Sequence, residues 1–202
     1  LGMSDLSNIK HLVMVTTRGN IKKTALEDFV NVRRSGLIAI KLKPDDNLEW
    51  VKPSAGNDEI MIATKQGQAI HFKEKDVREM GRTASGVRGI RLKNGDEVIG
   101  MDIVDPKNKS LEFLTVGENG VGKRTELDEY KVQGRGGSGI KTAEITAKTG
   151  NLTFAKVVDA VESKAKDLLI MSAKGQVIRL PFGSINSSGR ATQGVRLMRF
   201  KE

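Results

Sequence analysis

A cassette centred on one glycine occurs four times in this chain of 202 residues, and that recurrence constrains the fold more than any composition value. The central glycines are Gly36, Gly86, Gly139 and Gly194. A second glycine, at Gly19, Gly67, Gly120 and Gly175, stands about 17 to 19 residues before each of them. Consecutive copies lie roughly 50 to 55 residues apart. A period of that size points to a propeller-like or array architecture rather than one mixed core.

Each copy opens as a hairpin. The apolar, β-branched run Leu12–Thr17 turns at Arg18-Gly19-Asn20 into Ile21-Lys22-Lys23-Thr24, and Ile60–Thr64 turns at Gln66-Gly67 into Ala69–Phe72. The third and fourth copies turn at Asn119-Gly120 and Lys174-Gly175. Glycine supplies the positive φ that tight hairpin turns need. A short polar stretch follows, as in Thr24-Ala25-Leu26-Glu27, which has the spacing of a capping box and room for one helical turn.

Past the central glycine, apolar residues fall one, four and six places on: Leu37, Ile40, Leu42; Val87, Ile90, Leu92; Ile140, Ala143, Ile145; Val195, Met198, Phe200. Basic residues stand between them: Arg88, Lys141 and Arg196 two places on, Lys41, Arg91 and Arg199 five places on. A strand with one side in the core and its cations outward explains this alternation. Ile38 and Glu144 are the exceptions. An earlier row of cations, Lys22, Lys23, Lys123, Arg124 and Arg179, lies just after the hairpin turns, where His71 holds the corresponding place in the second copy.

Charge follows the same phasing. The chain carries a formal net charge of +9, yet residues 32–42, 82–92, 135–145 and 190–200 alone hold 11 Lys or Arg and one acid, Glu144. The rest of the chain is close to neutral. Solubility does not require cations phased in this way, and a polyanion such as nucleic acid is the natural partner. Aromatic residues make up only 4% of the chain, which favours contact with a duplex backbone over stacking on single-stranded bases.

Other classes find little support. There is no cysteine, hence no disulfide or thiolate metal site, which suits a cytoplasmic protein. No apolar run of about 18 residues suggests a membrane span. Gly134–Gly139 lacks the Gly-Lys-Ser/Thr ending of a P-loop. His11 and His71 are isolated from one another, so no metal site is expected. A propeller enzyme would need acids or histidines recurring at the repeat positions, and none does. A protein-binding propeller scaffold stays open as a rival.

Gly81-Arg82-Thr83-Ala84-Ser85-Gly86-Val87-Arg88-Gly89-Ile90-Arg91-Leu92 resembles the repeat core of the C-terminal domains of bacterial gyrase A subunits. Residues 130–139 and 189–196 are similar to later repeats of that family, and the pattern covers about residues 9 to 200. The resemblance implies an all-β, propeller-like β-pinwheel of four-stranded blades that exchange strands, about four of them here. The repeats are expected at 9–56, 57–106, 107–162 and 163–202, behind a leading linker or fragment end at 1–8. Family members usually have about six blades, so the resemblance implies a fragment or a shortened form.

The same resemblance implies a non-catalytic module that wraps double-stranded DNA on a basic rim. Its implied partners are the remainder of the gyrase A polypeptide and, in the holoenzyme, the gyrase B polypeptide, in a cytoplasmic, nucleoid-associated setting. ATP and Mg are implied only for the parent enzyme. Expected DNA contacts are Arg33, Arg34 and Lys41 in the first cassette and Arg82, Arg88 and Arg91 in the second. In the third they are Gln133, Arg135 and Lys141, and in the fourth Arg190, Arg196 and Arg199. The earlier row, Lys22, Lys23, Lys123, Arg124 and Arg179, is a further candidate. The family's signature box is most nearly matched by Gln133–Gly139, where Gly134 and Ser138 replace two basic positions. The A-type polypeptide of topoisomerase IV, which carries similar blades, is the alternative.

Overall fold

The computed structural model describes residues 7–32 and 34–200. Most of the leading segment expected at 1–8 therefore lies outside the described residues, as does Arg33. The chain is nearly all β. Its strands are β1 (His11–Thr16), β2 (Asn20–Ala25) and β3 (Leu48–Ser54), then β4 (Glu59–Thr64), β5 (Gln68–Lys73), β6 (Val87–Arg88) and β7 (Val98–Val104). They continue as β8 (Leu111–Gly117), β9 (Val121–Glu126), β10 (Ile140–Lys141), β11 (Leu152–Asp159), β12 (Asp167–Met171), β13 (Val177–Pro181) and β14 (Val195–Arg196).

Three antiparallel sheets have four strands each, in the orders β3-β1-β2-β6, β10-β5-β4-β7 and β11-β8-β9-β14. In each, a hairpin pairs with the long strand that follows it in sequence, and a two-residue strand arrives from the next copy. Thus β6 pairs with β2, β10 with β5 and β14 with β9. Strand exchange of this kind is the β-pinwheel arrangement. The fourth sheet is the hairpin β12-β13 alone, so among the described residues the chain forms three four-stranded blades and one two-stranded one.

The core lies between sheets. Ile60 and Ile62 of β4 join Val13, Val15 and Ile21 of the first sheet, while Met61 and Ala63 of the same strand join Phe113, Tyr130 and Ala155 toward the third. Both faces of β4 are covered, which is why its sequence runs apolar without alternation. The end hairpin instead leaves Leu169 and Met171 largely exposed.

A single 3-10 turn follows the second hairpin strand in every copy, at Leu26–Phe29, Glu74–Asp76, Leu127–Glu129 and Phe182–Ser184. The expected capping box at Thr24 does not form. Ala25 is the capping residue, and the Thr24 hydroxyl is buried inside strand β2, out of reach of the turn. The one α-helical turn, Ala160–Ser163, is capped by the Asp159 carboxylate accepting from the Val161 and Glu162 N–H groups. No helix among the described residues is long and apolar enough to cross a membrane.

Candidate nucleic-acid interface

The strand expected after the central glycine is only two residues long after Gly86, Gly139 and Gly194, because the next two N–H groups leave the ladder, and among the described residues none forms after Gly36. Gly89 and Ile90 both donate to the Gly19 carbonyl, Thr142 and Ala143 to Gly67, and Leu197 and Met198 to Gly120. Each hairpin-turn glycine thus docks the cassette of the following copy. The residue four places past the central glycine then drops into the core: Ile90, Ala143 and Met198 are buried. A Cβ on Gly86 would lie 2.5 Å from the Ile21 carbonyl oxygen, and its φ is +83°, so the backbone requires glycine there twice over. Gly36 meets nothing within 4 Å, and its cassette joins no sheet among the described residues.

A second set of hydrogen bonds links one cassette to the next. The N–H five places past a central glycine donates to the carbonyl two places before the following one: Lys41 to Ala84 at 3.2 Å, Arg91 to Gly137 at 2.8 Å, Glu144 to Thr192 at 3.3 Å. The four cassettes therefore form one ribbon, with each of the three docked strands at the same edge of its sheet. The backbones that carry the cations of successive copies are thus hydrogen-bonded to one another.

Along this ribbon Arg34, Lys41, Arg88, Arg91, Arg196 and Arg199 are exposed. None of them is in an ion pair among the described residues. Arg82 is half-buried. Lys141 is exposed but pairs with Glu144 at 2.5 Å. The arginines four places before the central glycine also stitch the ribbon: Arg190 donates to the Lys141 carbonyl at 3.0 Å, and Arg135 to the carbonyls of Asp76 and Arg88. Gln133 is half-buried and donates its backbone N–H to the His71 carbonyl. The loop Gly134–Gly139 thus packs on the second cassette, and its Arg135 guanidinium is turned toward protein.

The further candidates do not form an outward row: β2 and β9, which carry Lys22, Lys23, Lys123 and Arg124, are covered on both faces, and only Arg179, on the end hairpin, is exposed. Lys22 is fully buried, and its Nζ donates to the carbonyls of Ala39 and Arg82 at 2.6 and 2.5 Å. Lys123 does the same one blade-pair later, donating to the Gly189 and Arg190 carbonyls at 2.6 and 2.7 Å. Burial pushes the Lys123 ammonium down to about 8, with Arg190 adding to the effect and Glu129 opposing it. Burial likewise lowers Lys22. Lys23 is buried against Glu74, whose Oε1 lies 3.4 Å from its Nζ.

Arg124 pairs with Glu112 at 2.8 Å and lies over the Phe182 ring, while Arg179 pairs with Asp167. His71, at the same place in the second copy, sits 3.0 Å from Glu59. Arg124 and His71 hold strands and turns together, while Arg179 pairs with Asp167 across its hairpin and stays largely exposed. Position relative to the turn glycine could not separate them from the outward set; an acid two positions upstream of the cross-strand partner (Glu59, Glu112, Asp167) was the available signal.

Two buried acids, Asp46 and Asp96, shape the loops beside the ribbon. Asp46 accepts from the Arg18 and Asn47 N–H groups and from the side chains of Thr16, Thr17 and Asn20. Burial would raise its carboxyl, but these hydrogen bonds outweigh it and hold the group below its usual range. Asp96 accepts from the Gln66 and Glu97 N–H groups in the same manner. Among the described residues no group of three or more His, Asp or Glu side chains is placed to hold a metal ion.

Comparison with known proteins follows the same outline. The family model for the DNA gyrase C-terminal domain, a beta-propeller, matches residues 10–55, 58–105, 111–159 and 166–202. The DNA gyrase A protein of Staphylococcus aureus strain MRSA252 is 44% identical over 200 residues, covering 98% of this chain and 22% of the relative. The gyrase A protein of Staphylococcus epidermidis strain ATCC 12228 is 42% identical with the same coverage. The chain thus spans about a fifth of the length of these relatives. A solved DNA gyrase A C-terminal domain superposes with a TM-score of 0.82 at 27% identity, covering 98% of this chain and 64% of the other. The C-terminal domain of DNA topoisomerase IV superposes with a TM-score of 0.87 at 25% identity, covering 98% and 60%. With four matching segments over nearly the whole chain, a shared strand-exchanged fold and these relatives, the chain belongs to the DNA gyrase C-terminal domain family.

Proposed function

We propose that this chain binds duplex DNA along the cassette ribbon and bends it, as the non-catalytic wrapping module of a gyrase A protein. The observation that carries the reading is the stitched ribbon, whose first, second and fourth cassettes carry exposed cations free of ion pairs among the described residues, with the docked strands at the corresponding edge of each of three sheets. Arg and Lys contacts to phosphate carry no sequence information, which suits a protein that must coil any duplex. Smooth bending of a short site by 40–90° costs on the order of 1–6 kcal/mol. Some six to ten phosphate contacts could offset that, and they would make affinity fall by about 10³–10⁵ between 50 and 200 mM salt.

Strand cleavage and ATP hydrolysis belong, on this reading, to parts of the enzyme outside this chain. The domain itself calls for neither nucleotide nor metal. It works in a cytoplasmic, nucleoid-associated holoenzyme with the rest of the gyrase A polypeptide and with gyrase B. A topoisomerase IV assignment is supported by the 0.87 superposition, but the 42–44% identities run to gyrase A proteins and favour gyrase. The test is a gel-shift titration of long duplex DNA at two salt concentrations. Tight binding that weakens steeply with salt is expected; no binding in dilute buffer, or binding indifferent to salt, overturns the reading and favours a protein-binding scaffold.

A further inference from the structure

The three junctions between copies are built alike but charged differently. At the first, an open cleft of about 440 Å³ lies between the hairpin turn of the first copy and the cassette of the second. Its cations come from both sides: Arg18 and Lys43 from the first copy, Arg88, Arg91 and Lys93 from the second. All five are exposed, and none is in an ion pair among the described residues. The one acid on the wall, Asp96, is buried and spends an oxygen on two backbone N–H groups. Arg18 is held at the cleft by its Nε donating to the Asp45 carbonyl at 3.1 Å, which leaves its terminal nitrogens for a ligand.

The equivalent places at the second junction are Gln66, Gln68, Lys93, Lys141, Glu144 and Thr146, where the Lys141 ammonium is already matched by Glu144. At the third junction they are Asn119, Val121, Thr146, Arg196, Arg199 and Lys201, the last outside the described residues. Among the described residues, cations free of ion pairs converge from both copies at the first junction alone. A cleft of that kind focuses positive potential more strongly than a row on a convex rim.

We propose that the first junction is a dedicated phosphate seat, gripping the backbone phosphates of one duplex strand and fixing the register of DNA on the ribbon. This rests on the DNA-binding reading and adds Arg18, Lys43 and Lys93 to the contact set. The remaining cassettes guide the duplex past this anchor.

The test compares wild type with the double variant R18A/K43A, which leaves every cassette arginine in place, in salt titrations of a 40-base-pair duplex. Each lost phosphate contact lowers the slope of log affinity against log salt by about 0.9, so a drop of about 1–2 is expected, with a weakening of roughly tenfold or more at low salt. The charge-retaining variant R18K/K43R should keep most of the slope, and K65A, whose ammonium pairs with Glu97 at 2.9 Å, should match wild type. Unchanged thermal midpoints separate lost contacts from lost fold; if R18A/K43A does not fold, R18Q alone is read in the same assay. Wild-type binding with an unaltered slope in the variant overturns the seat and leaves the wrapping reading standing. Failure of wild type itself to bind overturns that reading first.

Discussion

Two rows of cations recur with the same period in this chain, and they do opposite work. The outer row, exemplified by Arg88, Arg91, Arg196 and Arg199, is exposed and free of ion pairs among the described residues. The inner row, exemplified by Lys22, Lys123 and Arg124, is buried or half-buried and satisfied by carbonyls or by Glu112. Lys22 and Lys123 grip the carbonyls of Arg82, Gly189 and Arg190, so they hold in place the turns from which the outer arginines project. Periodicity in sequence reveals that a charge is needed at a position. It does not reveal whether the charge meets a ligand or the protein's own backbone.

The largest expected effect separates the rows by what they bind. Replacing Arg88, Arg91, Arg196 and Arg199 together by Ala removes about four phosphate contacts and should lower duplex affinity by two to three orders of magnitude at low salt, about 0.9 in slope per contact. Thermal unfolding should be nearly unchanged, since exposed, unpaired side chains contribute little to stability. Retained affinity would show that the ribbon's outer face is not the DNA surface.

Next in size is the inner row. Lys123→Met leaves two buried carbonyls without a donor and should cost on the order of 1–3 kcal/mol, read as a lower thermal midpoint. Its DNA affinity should fall only as the 189–194 turn loosens, and its salt slope should stay close to that of wild type. A large change in slope with no change in midpoint would reassign Lys123 to the outer row.

The inner row also predicts a pH dependence. The folded Lys123 ammonium sits at about 8, below the value for an exposed lysine, so above that pH the unfolded chain binds more protons at this group. Stability from Lys123 alone therefore rises with pH between about 8 and 10. Above 10 the buried Tyr130 works against it, because burial raises its hydroxyl to about 12 and only the unfolded chain then ionises it. Chemical denaturation across this range should show the rise in wild type and a smaller rise in Lys123→Met, where Lys22, also lowered by burial, remains. An identical profile in both would remove the buried ammonium from the account.

The smallest effect concerns the paired cation on the ribbon. Glu144→Gln frees Lys141 from its partner and should strengthen duplex binding about two- to threefold, an exposed pair being worth a few tenths of a kcal/mol to about 1. Weaker binding would mean that Glu144 positions Lys141 rather than masking it.

Much of the fold was legible because it leaves side-chain signals. Turn glycines, β-branched runs and the buried residue four places past each central glycine all appear in the sequence. What was not legible runs through the backbone. The bonds from Lys41, Arg91 and Glu144 N–H groups to the next cassette use groups that every residue has, so no residue type marks them. The inner row misleads for a related reason: β2 is covered on both sides, with Lys22 and Lys23 adjacent and both buried, so alternation cannot say which way a side chain faces. Arg135 and Arg190 were legible as basic but not as stitches, because their carbonyl partners lie 47 and 49 residues away.

The most direct test of one continuous cationic ribbon is the salt slope of binding measured on duplexes of increasing length. The account predicts a slope that steepens as the duplex reaches successive cassettes and levels off once all are engaged. A slope already complete on the shortest duplex that binds would mean a single local patch, and no path for wrapping.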